Sequence, residues 1–187
     1  MSQSVVLTGM VLSAMPVLCA LVLGWCTGGR LSRFEGAGLR LLPLPVIALA
    51  LQRLYLRPWT LLISYLLLFA FLLLNRHLKK TSLLLAAGSL CNLVVIAANG
   101  WRMPVAAGAI SVLSSEGASA LLAGEIPMYA AADSETRLLF LGDILYCPIP
   151  FFRGFASVGD LLLAAGVFFC LMAVMNPGRL PRWVKSG

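Results

Sequence analysis

Long apolar runs separated by short clusters of positive charge set the pattern of this chain. Five runs predict helices that cross a bilayer: about Val5–Trp25, Leu41–Leu56, Trp59–Leu74, Ser82–Ala98 and Val158–Met175. At 1.5 Å of rise per residue, each comes near the ~20 residues needed for ~30 Å of hydrocarbon. The second run carries Pro43 and Pro45 near its start and Gln52 and Arg53 near its end, which predicts a short, tilted or partly interfacial span. No Lys or Arg precedes the first run, whereas Arg30 and Arg33 follow it. That is the reverse of the charge order of a signal peptide, so this run reads as a span.

The stretch between the fourth and fifth runs, residues 99–157, is too long for a plain connection. Within it, Ala106–Ala123 and Leu138–Phe152 are apolar, yet too short or too interrupted to span. They are expected to form an interfacial helix and a re-entrant or capping segment, packed as an ordered outer cap. Unpaired backbone amides in lipid cost several kcal/mol each, so irregular chain at that depth must be buried in protein or line a cavity. The expected architecture is an all-α, polytopic helix bundle of about five spans, forming one membrane domain over residues 1–187. No internal repeat is visible, which leaves an inverted-repeat transporter without support.

Composition agrees with the pattern. The chain is 60% hydrophobic and 11% charged, with a mean hydropathy of +0.95; soluble domains average roughly 45–50% apolar and 25% charged. Fourteen Lys and Arg against seven Asp and Glu give a net charge of +7, which in a soluble protein would suggest nucleic acid. Here the placement of the charges excludes that partner. Arg30, Arg33, Arg40, Arg76, Lys79, Lys80, Arg179, Arg182 and Lys185 fall on one side of the predicted spans with Glu35 as the lone acid, and most acids fall in the 99–157 loop. The positive-inside rule then puts the N-terminus outside and the C-terminus in the cytoplasm, with anionic lipid headgroups as partners of the basic clusters. The five cysteines include no C-x-x-C pair, and Cys19, Cys91 and Cys170 lie within apolar runs. Those three read as small core residues, not as metal ligands or bridges.

Candidate chemistry gathers near the ends of the fourth and fifth runs. Asn92 and Asn99 are seven residues apart, on one face of the fourth helix. Gly100 can end that helix in a left-handed conformation and Pro104 bars its continuation, leaving Arg102 at the outer mouth. Asp143 and Asp160 each follow a glycine, and Asp160 opens the fifth run. The ordered motifs Gly28-Gly-Arg-Leu-Ser32, Asn99-Gly-Trp-Arg-Met-Pro-Val105, Arg137-Leu-Leu-Phe-Leu-Gly-Asp-Ile144 and Phe155-Ala-Ser-Val-Gly-Asp160 resemble those of a family of small bacterial integral membrane proteins known only as a domain of unknown function. The resemblance covers nearly the whole chain. It implies location in the bacterial cell membrane and implies nothing about substrate. It departs at Trp101, where the family pattern has a second glycine, and this leaves the local backbone geometry open.

Plain structural roles compete for each residue. Ser157-x-x-Asp160 fits a capping box, Asn92 fits interhelical glue, and Arg102 fits a partner for an aspartate or a lipid phosphate. The one histidine, His77, lies in a basic loop, which argues against a histidine-based metal site or a Ser-His-Asp hydrolase. The favoured function is a non-catalytic binding or transport component with no cofactor and no metal. Arg102, Asn99, Asn92, Asp143 and Asp160 would hold a small or lipid-linked anionic ligand beneath the outer cap, with Arg102 as counter-charge and its two acid neighbours completing the cluster. An accessory or scaffold subunit docking a protein partner in the membrane is the alternative. An enzyme using Asp143 and Asp160 as a carboxylate pair is the weakest reading, because Phe140 and Ser157 replace the first glycine of the Gly-x-Gly-Asp motif of intramembrane aspartyl proteases.

Overall fold

The computed structural model describes the backbone of residues 3–54, 57–147 and 154–187, and the side chains of residues 15–52, 57–146 and 155–187. In chain order the elements are α1 (Gln3–Cys26), α2 (Pro43–Leu54), α3 (Pro58–Leu74), α4 (Lys79–Ala98), β1 (Met103–Val105), α5 (Ala107–Ile110), α6 (Ser115–Leu122), β2 (Tyr129–Ala131), β3 (Asp143–Cys147), β4 (Gly154–Ser157), α7 (Val158–Met175) and α8 (Arg182–Lys185). Each of the five apolar runs therefore carries a helix among the described residues, the second over Pro43–Leu54 only. Among the described residues, α4 and α7 are long and apolar enough to cross a membrane. The part of α1 from Met15, together with a 3-10 segment (Leu31–Ala37) bent 99° from it, is a third candidate if that pair counts as one span. The 12 residues of α2 and 17 of α3 make shorter apolar helices. The end of the second expected span, at residues 55–56, lies outside the described residues. So does 148–153, at the end of the expected Leu138–Phe152 segment.

The chain divides into two compact units, one of Met1–Met15 and Gly88–Leu161, the other of Pro16–Ala87 and Leu162–Gly187. The first corrects the all-α expectation, for it contains a mixed four-stranded sheet of order β2-β1-β3-β4. β1 runs parallel to β2, with Met103 opposite Tyr129, and parallel to β3, with Val105 opposite Asp143. β3 and β4 are antiparallel, with Asp143 opposite Ser157. Strand pairing is how this apolar stretch meets its backbone donors and acceptors once α4 has stopped. Its hydrophobic core is built on Val105, Ala109 and Leu121, against which Ile110, Leu113 and Phe155 pack. The expected interfacial helix over Ala106–Ala123 is two short helices, α5 and α6. The Leu138–Phe152 segment carries strand β3 where a re-entrant or capping segment was expected.

Among the described residues the second unit has hydrophobic clusters on Phe71, Leu72 and Leu85 and on Ala20, Met172, Met175 and Val184. Asn75, 1% exposed at the end of α3, holds a distant strand of chain: Arg40 N donates to its Oδ1 at 2.8 Å, and its Nδ2 donates to Arg40 O at 2.9 Å and to Phe71 O at 2.8 Å. Cys91 in the first unit and Cys170 in the second are partly buried free thiols, but Cys19 is exposed on α1 and is not a core residue.

Candidate functional site

Three of the sequence motifs meet within the first unit. The stretch following Asn99 supplies β1, Gly142-Asp143 opens β3, and Ser157-Val-Gly-Asp160 joins β4 to α7. Gly142 allows the first approach, since a Cβ there would lie 2.6 Å from Pro104 O. Gly159 allows the second. A Cβ at that position would overlap the Asn92 amide and come within 2.8 Å of Gly88 O, so only glycine lets the start of α7 rest on α4.

The hydrogen bonds at this crossing form a closed set. Ser157 N donates to Asp160 Oδ2 at 2.9 Å and Asp160 N to Ser157 Oγ at 3.0 Å, the reciprocal bonds of a capping box at the positive end of α7. Asn92 Nδ2 donates to Asp160 Oδ1 at 2.9 Å, and Ser157 Oγ donates to Asn92 Oδ1 at 2.8 Å. Both carboxylate oxygens of Asp160 are thereby occupied. The hydroxyl of Ser89, one helical turn before Asn92, is fully buried without a hydrogen-bond partner among the described residues.

Asp143 differs. Its side chain is 3% exposed and accepts no hydrogen bond among the described residues, while its backbone oxygen receives Ala106 N at 3.0 Å. Burial, and after it the neighbouring Asp160 carboxylate, push the Asp143 carboxyl from its ordinary 3.8 up to about 8. A carboxyl in such surroundings holds its proton at neutral pH. The two acids are thus unlike: one is matched by amide and side-chain donors, the other is desolvated and carries a proton.

Asn92, Asp143 and Asp160 come together as one cluster. Asn99 and Arg102 form no hydrogen bond with it among the described residues. Asn99 instead holds the loop before β3, with Nδ2 donating to Arg137 O at 2.8 Å and Arg137 N donating to Oδ1 at 2.8 Å; together with Asp133, Glu135 and Thr136 they line an open polar pocket of about 460 Å³. Arg102 is exposed, and its Nη1 lies 3.6 Å from where Gly124 would carry a Cβ. Ser157 and Gly159 are members of the cluster that the sequence reading did not count as site residues. Their signal was present in the spacing of the Ser-Val-Gly-Asp motif. No group of three or more His, Cys, Asp or Glu side chains among the described residues is arranged to hold a metal ion.

This mostly helical chain, with a small sheet between α4 and α7 in sequence order, belongs to a family of unknown function, DUF5317, whose model matches residues 46–172. No curated protein and no solved structure matches it.

Proposed function

We propose that this protein is a multi-pass integral membrane protein, N-terminus outside and C-terminus cytoplasmic, that acts as a binding or transport component and not as an enzyme. Its ligand site is the cluster of Asn92, Asp143, Ser157 and Asp160. The observation carrying this reading is the Asp143 carboxyl, buried and without a hydrogen-bond donor among the described residues. An ionisable group in an apolar setting is costly to keep, and such groups mark ligand and proton pathways. Two carboxyls with no basic side chain bonded to them among the described residues favour a small cation or amine that takes the place of the Asp143 proton. Both oxygens of Asp160 are engaged in capping α7 and holding Asn92, which favours a structural role for it over that of a catalytic acid.

The test is thermal unfolding of purified, lipid-reconstituted protein at pH 8.5, titrated with sodium, potassium or methylammonium. One of these cations should raise the Tm of the wild type and leave Asp143→Asn unchanged. Equal responses in both proteins, or none in either, would remove the reading.

A second reading keeps the small or lipid-linked anionic ligand and centres it on Arg102. It is favoured by one observation: the guanidinium is exposed with no acidic partner among the described residues. Arg102→Ala should then abolish anion binding while Asp143→Asn does not.

A further inference from the structure

The second unit holds a pocket of about 220 Å³ lined by Trp25, Arg30, Leu31, Ser32 and Met175. Its walls follow from how α1 ends. Gly29 N donates to Gly24 O at 2.7 Å and Arg30 N donates to Met175 O at 3.0 Å, so the chain turns against the end of α7 before it enters the bent Leu31–Ala37 segment. Two arginines emerge there with different fates. Arg33 is tied down, its Nη1 donating to Asn176 O at 2.7 Å and Gly28 O at 3.2 Å. Arg30 is exposed, and its guanidinium has neither a hydrogen bond nor an ion pair among the described residues.

Around this guanidinium the surface has two characters. Trp25 is 66% exposed and Leu31 48%, so an indole and an aliphatic chain stand open beside the guanidinium and the Ser32 hydroxyl. Arg179 joins the same corner, its backbone amide bonded to Thr27 O at 3.1 Å. Residues 28–40 carry Arg30, Arg33 and Arg40 against Glu35 alone. A ligand matched to this site needs a compact anion for Arg30 and an apolar tail for Trp25 and Leu31.

We propose that this pocket binds the headgroup phosphate of an anionic phospholipid, with Arg30 and Ser32 on the phosphate and the acyl chains lying over Trp25 and Leu31. The inference rests on the membrane reading above but is independent of the Asp143 cluster. The volume accommodates a phosphate and part of its glycerol but not a whole lipid, which leaves the tails outside, where the exposed apolar side chains are. A guanidinium suits this task because its fork of donors matches phosphate oxygens. The basic cluster adds the general attraction of an anionic leaflet, which by itself would not distinguish one arginine from another.

Carbonate extraction of cell membranes comes first: release of the protein into the soluble fraction would defeat the membrane reading itself. For protein that stays in the membrane, native mass spectrometry and thermal unfolding are carried out in neutral detergent with added phosphatidylglycerol or phosphatidylcholine. The expected result is retention of one phosphatidylglycerol and a higher Tm with that lipid only. Arg30→Ala should bind it about tenfold more weakly, with a smaller loss in Trp25→Ala. Arg76→Ala, which removes the same charge from an exposed position elsewhere in the unit, should bind as the wild type does. Equal loss in Arg30→Ala and Arg76→Ala would reduce the effect to bulk charge and overturn the site. Equal stabilisation by phosphatidylcholine, or by inorganic phosphate without lipid, would overturn it as well.

Discussion

Asn75 and Asn99 hold their respective units with the same bonds. Each follows a helix, donates through Nδ2 to the carbonyl four residues back, and exchanges a pair of hydrogen bonds with the backbone of a distant arginine, Arg40 in one case and Arg137 in the other. The polar groups buried around them differ. In the unit of Asn75 the deeply buried polar side chains among the described residues are neutral, and the asparagine itself is fully matched. In the unit of Asn99 the buried set includes Asp143, a carboxyl without a donor among the described residues. Among the described residues each unit tolerates one orphan hydroxyl, Thr81 or Ser89, at a cost of roughly 1–3 kcal/mol. A buried carboxyl is a larger burden, and nothing in the strand pairing requires one at that position. The contrast separates a device that fastens chain from a group that the fold keeps in spite of its cost.

The sharpest way to test that contrast is pH. The fold holds the Asp143 proton more tightly than the unfolded chain does, with the carboxyl raised from 3.8 to about 8. Stability is therefore fully present at low pH and falls as pH rises between those values, by up to about 1.4 kcal/mol per pH unit. Above about 8 this contribution stops changing. Asp143→Asn keeps a neutral side chain of the same shape and should flatten the fall, as read from thermal unfolding in detergent between pH 5 and 9. Identical slopes in the two proteins would mean that Asp143 is ordinary and the contrast between the units false.

Next in size is the contact that closes the cluster. Gly159→Val would force a side chain into the Asn92 amide and Gly88 O, and overpacking of this kind costs about 1–3 kcal/mol or more. Gly166→Ala in the other unit meets the Leu85 side chain, with a Cβ 2.7 Å from its Cγ. Most of that contact is with a side chain that can shift, although Leu85 N would also lie 3.0 Å away, and the added group is a single methyl, so the Tm of Gly166→Ala should fall less. If Gly166→Ala proves the more damaging, the start of α7 is not held by the network assigned to it.

The two asparagines themselves should differ by burial. Asn75→Ala leaves the Arg40 amide and carbonyl without partners at a site 1% exposed, for a loss of about 2–3 kcal/mol. Asn99 is only half-buried and water can replace its bonds to Arg137, so Asn99→Ala should cost about 1 kcal/mol. Chemical denaturation of both variants measures the order.

Much of this architecture was legible in the sequence because apolar runs of helical length have few alternatives. Each of the five runs carries a helix, and the Asn-Gly and Gly-Asp motifs fall where α4 ends and where β3 and α7 begin. The sheet was not legible. Its strands are three to five residues long, and apolar runs that short have no period that separates strand from helix. β1 also carries Pro104 in a central position, where proline ordinarily argues against a strand; it is tolerated because its neighbours supply the donors, Met103 N to Met128 O and Ala106 N to Asp143 O. Asn99 was placed on the same helix face as Asn92, and helical periodicity could not reveal that its amide turns to the Arg137 loop. Asp143 beside Asp160 was expected from topology, but the matching of one acid and not the other depends on strand register, which no local pattern carries.

The smallest effect concerns how the long helices stop. Both α1 and α4 end with a left-handed glycine, Gly28 at φ +85° and Gly100 at φ +64°, followed by a residue whose amide reaches five positions back. After Gly28 that residue is Gly29; after Gly100 it is Trp101, itself held at φ +64°. A left-handed conformation costs an L-residue with a Cβ about 1–2 kcal/mol, and it costs glycine nothing. Trp101→Gly should therefore raise stability by up to about 1 kcal/mol, reduced by whatever contact the partly buried indole makes and by the greater freedom of glycine in the unfolded chain. A rise in Tm in detergent would identify Trp101 as a strained residue kept for its side chain at the mouth of α4, in contrast to the unstrained glycine pair that ends α1. A fall would show that the packing of the indole outweighs the strain, and that both helices end on equally comfortable terms.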